Sequence, residues 1–361
     1  MDKNDFEQQY TFDRGTYYSM PHWNDFSLDD EMIAKKRFSR FFLATFLYVI
    51  LSNVVGMVVE LALMLALGDG ANAIFESSWY ALVLNTFAMY VVALPVFILL
   101  VKGMKKTIRA RERLKFSEFA KIFLVAEAFM YVGSFIGNYL NLFIGAYIGE
   151  APTNSTSELI AESNMLLLIA IAVIIGPIVE ELIFRKLLMD KLGMYGDRIA
   201  IVVSAVTFGF FHGNLYQFFY ATLLGFVLAY LYSKTANVWY PILLHMIVNF
   251  MGSVIPMLLT DKIERFEEIS EMVANETELS DELMLEFTQI STVVGAYSIF
   301  VIGMFIAGLV IFLKNRKRIF ISDRCEICIP KERRAKVIVG NAGMICFLLI
   351  SLVFMLLSLF A

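Results

Sequence analysis

A chain of 361 residues that is 59% hydrophobic and 18% charged is not composed like a soluble domain, which carries about 45–50% apolar and 25% charged residues. Mean hydropathy is +0.69. Three cysteines are too few for a disulfide framework, and the net charge of −4 says little until its distribution is read.

The first thirty residues, Met1–Asp30, are polar and aromatic, so residues 1–40 read as a soluble cytoplasmic tail rather than a cleaved signal. The apolar residues that follow fall into blocks, and roughly 20 apolar residues span about 30 Å of hydrocarbon as a helix. Nine blocks are visible: Phe41–Leu67, Trp79–Val101, Phe119–Ile148, Met165–Leu188, Ile199–Gly213, Leu215–Tyr232, Val238–Leu259, Phe287–Leu313 and Val337–Ala361. The fifth and sixth are short and nearly continuous, either a helical hairpin or one broken segment. The fold class expected is therefore an all-α polytopic membrane bundle of eight or nine transmembrane helices, with residues 41–361 forming one domain.

Charge gives the orientation. Lys35, Lys36, Arg37 and Arg40 precede the first block, seven basic residues lie between Lys102 and Lys115, and eight lie between Arg316 and Lys336. Basic loops stay in the cytoplasm. This predicts a multi-pass cell-membrane protein with a cytoplasmic N-terminus and with Gly68–Ser78, Gly149–Asn164 and Thr260–Glu286 outside. A basic run between two spans suits anionic lipid rather than nucleic acid. In the acidic stretch Asp261–Glu286, Ile263, Phe266, Ile269 and Met272 recur at three-residue spacing. That pattern suits an amphipathic surface helix, and the acidic content suits a solvated loop equally well. Cys325 and Cys328 form a lone CxxC in a loop placed in the cytoplasm, a weak signal for a metal or redox role, and two ordinary reduced thiols are expected; Cys346 lies in the last block.

Ionisable groups inside hydrocarbon are costly and therefore informative. The fourth block carries Gly176-Pro177, which can kink a helix, then Glu180, Glu181 and Arg185. Glu181 and Arg185 share a helical face at i, i+4 and can pair, which leaves Glu180 free to point elsewhere. The chain has three histidines: His22 in the tail, His212 in SAVTFGFFHGN, and His245 in YPILLHMIVN, one turn before Asn249. Glu, two His and Asn have the inventory of a hydrolytic site. A carboxylate and an imidazole can deprotonate water, and a second imidazole with an amide can donate to an oxyanion. Glu with two His can also hold zinc, although no HExxH is present.

In these motifs, EELIFR (Glu180–Arg185), FGFFH (Phe208–His212) and HMIVN (His245–Asn249), the sequence resembles the CPBP family, the CAAX-protease and bacteriocin-processing (Abi-type) intramembrane proteases. The resemblance covers roughly Met165–Phe250. It implies an intramembrane endopeptidase with its catalytic core at 165–250, acting on membrane-associated, prenylated or leader-type peptides. By the same resemblance Glu180 and His212 would activate the attacking water, His245 and Asn249 would stabilise the oxyanion, and Glu181, Arg185 and Phe208 would support them. Members of the family are often labelled metalloproteases. The metal-free mechanism is preferred here because it gives Asn249 a role; a zinc alternative would use Glu180, His212 and His245. The expected partners are the lipid bilayer and a peptide or protein substrate, with no nucleic acid; oligomeric state cannot be read. Two other readings stand beside this one. A non-catalytic bacteriocin-immunity or regulatory membrane protein would have no need of two intramembrane histidines. A proton-coupled transporter would show repeated halves, and none are visible.

Overall fold

The computed structural model describes residues 26–107, 111–149, 154, 163–275, 279–319, 321 and 325–360. His22 and most of the expected tail lie outside the described residues. Every regular element among those described is helical. We number the helices of eight residues or more α1 Leu28–Leu67, α2 Tyr80–Val101, α3 Phe116–Ile148, α4 Met165–Tyr195, α5 Asp197–Phe211, α6 Leu215–Thr235, α7 Trp239–Ala274, α8 Asp281–Asn315, α9 Lys331–Ile338 and α10 Ala342–Leu357. Helix α1 starts inside the expected tail, where Ser27 and Asp30 form a reciprocal capping box.

Seven of these helices are long and apolar enough to cross a membrane, or eight if α9 and α10, bent by 66°, count as one span. Among the described residues this agrees with the expected all-α polytopic bundle, at the lower of the two expected counts. The difference from nine is α5, whose 15 residues rise about 22 Å, short of the roughly 30 Å of hydrocarbon. The two short blocks form an antiparallel hairpin. It turns at His212, Gly213 and Asn214. Gly213 takes φ +64°, a conformation that costs glycine little, and the Asn214 side chain accepts the Gln217 N–H to start α6. The stretch Asp261–Ala274 is not a loop: it continues α7 as helix, and Phe266 stacks on Phe287 of α8 at 5.6 Å.

One end of the bundle collects the basic segments. Thr107 and Glu112 donate backbone bonds to Asp190 and Thr235, Arg40 reaches the Leu100 carbonyl, and Lys191 reaches Met104. Glu31 at the start of α1 pairs with Lys35, Arg333 and Lys336. At this end Cys325 and Cys328 are joined as a disulfide, which corrects the expectation of free thiols; their Cα atoms lie 5.3 Å apart, within the reach of a bridge. Glu326 beside them pairs with Lys105.

The buried core is aromatic around Phe38, Phe41, Phe42, Phe97, Phe184 and Phe208, while α3, α6 and α7 share a smaller aliphatic cluster. In lipid, helices associate through close backbone packing, and the contact of α3 with α6 depends on this. A Cβ on Gly133 would overlap the backbone of Tyr220 and Phe219. Gly133→Ala should therefore destabilise the bundle by about 1–3 kcal/mol, as overpacking does, seen as a lower thermal midpoint in detergent. Gly295→Ala on α8, with nothing within 4 Å, should leave that midpoint unchanged or raise it.

Candidate active site

Helix α4 carries the adjacent carboxylates on an irregular backbone: π-helix over Ile169–Ile175, α-helix over Gly176–Glu181, and π-helix again over Leu182–Met189. Pro177 explains the first irregularity. In the π register the Gly176 N–H goes to Ile171, and the next carbonyl, that of Ala172, faces a proline with no N–H to offer. Asn249 of α7 supplies the donor, with Nδ2 2.9 Å from the Ala172 oxygen. One amide hydrogen of Asn249 is thereby committed and the second is left over. Single π turns of this kind recur at functional sites.

Glu181 is sealed inside. Its Oε1 lies 3.0 Å from His245 Nδ1, and its Oε2 lies 3.1 Å from Arg185 Nε, with both side chains of the Glu181–Arg185 pair fully buried. Neither Oε2 nor Nε counts as hydrogen-bonded, so the second contact is a charge pair whose N–H points off axis. The guanidinium also directs Nη2 to the Gly225 carbonyl at 3.4 Å and lies over the Phe208 ring, 4.5 Å from its centroid. Phe208 is the hub of the cluster, with its ring meeting His212 at 4.9 Å and His245 at 5.7 Å, both edge-on.

Glu180 differs from its neighbour. Its side chain keeps 18% exposure, and its nearest ionic contact is His245 Nε2 at 3.8 Å. It is thus the carboxylate of the pair open to a ligand. His212 ends α5 and places Nδ1 2.8 Å from the Phe208 carbonyl. A carbonyl can only accept, so Nδ1 carries the proton, and the neutral ring presents a lone pair at Nε2. Glu180 and His245 both lie within electrostatic reach of His212.

Glu180, Glu181, Arg185, Phe208, His212 and His245 therefore form one cluster, with Asn249 beside it, one turn along α7. Among the described residues no group of three His, Cys, Asp or Glu side chains converges as a metal ion requires, and Glu180, His212 and His245 do not make a zinc cradle in this arrangement. Three phenols missed by the sequence reading lie within electrostatic reach of Glu180: Tyr48 of α1, Tyr90 of α2 and Tyr220 of α6. In a chain with 16 tyrosines, nothing in the local sequence marks these three.

Residues 162–251 match the Rce1-like family, described as type II CAAX prenyl endopeptidase Rce1-like. The chain thus has one segment similar to that family. The matched residues contain the six residues of the cluster just described and Asn249 beside it. A protein of Bacillus subtilis (strain 168), described as "Putative membrane peptidase YdiL", is 35% identical over 106 residues, which make up 28% of this chain and 42% of that protein. The chain thus spans well under half the length of that curated relative. No solved structure matches. Helices α4 to α6 and the first part of α7 make up the Rce1-like segment; α1 and α2, which bring Tyr48 and Tyr90, lie outside it.

Proposed function

We propose that the protein is an intramembrane endopeptidase of the CPBP type that hydrolyses a peptide bond of a membrane-associated, prenylated or leader-type peptide with a metal-free, glutamate-activated water. The observation that carries the reading is the division of labour between adjacent carboxylates. Glu181 is consumed by Arg185 and His245, whereas Glu180 is partly open and has His245 Nε2 at 3.8 Å as its nearest ionic contact, in the same cluster as His212.

The chemistry follows from the donors and acceptors. A water held between Glu180 and His212 loses a proton to one of them as its oxygen attacks the scissile carbonyl. The developing oxyanion takes the spare amide N–H of Asn249 and the Nε2–H of His245. The Nδ1–H of His245 is already held by Glu181, so an Nε2–H exists only in the imidazolium. Two carboxylates, Arg185 and an imidazolium together carry no net charge, which suits a low-dielectric interior. When the C–N bond breaks, the proton taken from water passes to the leaving amine. The same reading places the basic end of the bundle, and with it the N-terminus, in the cytoplasm.

The test compares host membranes carrying either the wild type or Glu180→Gln at equal abundance, with all new peptide termini mapped by mass spectrometry. A set of termini that vanishes in the variant establishes proteolysis and names the substrate. Identical sets move the chain to the non-catalytic regulatory reading. The metal-free part has its own test. Cleavage should persist unchanged after treatment with EDTA and 1,10-phenanthroline; a loss reversed by added zinc would overturn it.

A further inference from the structure

The wall between α1 and α2 carries a groove that the proposed chemistry does not use. A cavity of about 220 Å³ is lined by Arg40, Leu43, Ala44 and Leu47 of α1 and by Leu99 and Leu100 of α2. That exceeds the roughly 150 Å³ of an apolar cavity that admits benzene. None of the active-site cluster lines it. Leu43, Leu47 and Leu99 are 43%, 39% and 68% exposed, so the groove opens sideways to hydrocarbon. Arg40 is its one polar lining residue and stands at the basic end of the bundle. Leu47 lies seven residues further on, about 10 Å deeper along the helix.

Positive charge gathers at the mouth. Arg40 Nε donates to the Leu100 carbonyl at 2.8 Å, which fixes the guanidinium against α2 and leaves its Nη donors for a ligand. Nη2 lies over Gly103, where an atom at the Cβ position would be 3.7 Å from it. Lys102, Lys105 and Lys106 flank that glycine and are exposed. Lys191, only 1% exposed, reaches the same segment with Nζ 3.2 Å from the Met104 carbonyl. The carboxylates of this end are matched elsewhere: Glu31 with Lys35, Arg333 and Lys336, Glu326 with Lys105, and Asp190 with Lys186. Among the described residues none of them pairs with Arg40, Lys102 or Lys106. A fork of donors in a cationic rim above an apolar slot complements a phospholipid, with its phosphate at the surface and its acyl chain below. A peptide suits the slot poorly, because below Arg40 no lining side chain offers a hydrogen bond to a backbone. The uncompensated charge favours a net negative headgroup over a zwitterionic one.

We propose that the groove between α1 and α2 binds one anionic phospholipid, its phosphate held by Arg40 within the field of Lys102 and Lys106 and one acyl chain laid along Leu43, Ala44, Leu47 and Leu99. A guanidinium matches phosphate with two parallel donors, which a lysine cannot do. The lipid fills the slot only when α1 and α2 are packed, so it stabilises the folded protein by mass action. The assignment stands independently of the proteolytic reading.

The experiment uses the full-length protein, stripped of lipid in a neutral detergent and titrated with phosphatidylglycerol or with phosphatidylcholine of identical chains. Bound lipids are counted by native mass spectrometry, and the thermal midpoint is followed in parallel. Wild type, Arg40→Gln, Lys102→Gln/Lys106→Gln and Arg316→Gln/Lys317→Gln are compared. The last is the control, since it removes two exposed charges that do not line the groove. Wild type is expected to hold one phosphatidylglycerol more tightly than phosphatidylcholine and to melt higher with it. Arg40→Gln should weaken that binding at least about tenfold, the lower end for a hydrogen bond to a charged group. Lys102→Gln/Lys106→Gln should weaken it about fivefold per charge, the scale for a basic residue at an anionic surface, and the control should match the wild type. If Arg40→Gln already melts lower without lipid, its bond to Leu100 is structural and the lysine variant decides; unchanged affinity there overturns the assignment. Equal affinity for the two lipids overturns the anionic choice. Phosphatidylglycerol binding that no variant alters places the lipid elsewhere and overturns the site. Displacement by glycerol phosphate as readily as by phosphatidylglycerol would make this a site for a free phosphate and overturn the lipid.

Discussion

Glu180→Gln should lower the cleavage rate by about 10²–10⁴-fold, the range in which a positioned acid–base group contributes, while protein abundance and thermal midpoint stay at wild-type values. Glutamine keeps the shape and removes only the charge and the basicity. The fold should tolerate the change because Glu180 anchors nothing: its nearest ionic contact is 3.8 Å away and its side chain remains partly open. Glu181→Gln is a different experiment, since that carboxylate holds both Arg185 and His245. The measurement is the initial rate on the cleaved peptide, alongside immunoblot quantity and melting. His212→Ala should give a similar loss, and the double variant should be little worse than either single one, because groups acting on one water are not additive. A Glu180→Gln protein that cleaves within a few-fold of wild type would remove Glu180 from the mechanism.

The membrane character of the fold was legible because hydrocarbon imposes a length and a composition on every span. The choice between eight and nine spans was not, and α5 shows why. The block Ile199–Gly213 is as apolar as its neighbours, but whether a short block crosses or turns back depends on the hairpin at Gly213, which composition does not display. The stretch Asp261–Glu286 shows the reverse. Its acidic residues suit a loop as well as a helix, and the ring of Phe266 against Phe287 and the pairing of Arg265 with Glu286 become visible only once α7 and α8 lie side by side. Spacing in a CxxC says nothing of oxidation state, so the bridge between Cys325 and Cys328 was not readable either.

Within the site, contacts along one helix were legible and contacts between helices were not. The i, i+4 rule brings Arg185 to Glu181. That the same carboxylate also holds His245, 64 residues on, requires knowing how α4 meets α7. The bond from Asn249 to Ala172 is hidden more deeply: it exists because the π register before Pro177 leaves a carbonyl unserved, and register is a property of the folded backbone. Tyr48 and Tyr90 come from α1 and α2, far from the motifs, and a tyrosine in an apolar span carries no local mark of what it faces.

Arg185→Ala should be the most damaging substitution for stability, costing about 3–5 kcal/mol, the penalty for stranding one member of a buried ion pair. Both partners are fully buried, so water cannot replace the guanidinium. The variant also loses the cation over Phe208 and the donor to Gly225. Against a total stability of about 5–15 kcal/mol, the expected result is a large fall in accumulated protein and a lowered melting midpoint. The cause can be separated from lost packing by a double-mutant cycle. Arg185→Met combined with Glu181→Gln removes both charges and retains most of the volume, so it should recover much of the stability lost by Arg185→Met alone. It should not recover cleavage, because His245 would then lack the carboxylate that holds its Nδ1–H and sustains the imidazolium. Recovery of abundance without recovery of activity would assign the pair two separable roles. If Arg185→Ala accumulates and melts like the wild type, Glu181 is uncharged in the folded protein, and the neutral balance of two carboxylates against Arg185 and the imidazolium would have to be abandoned.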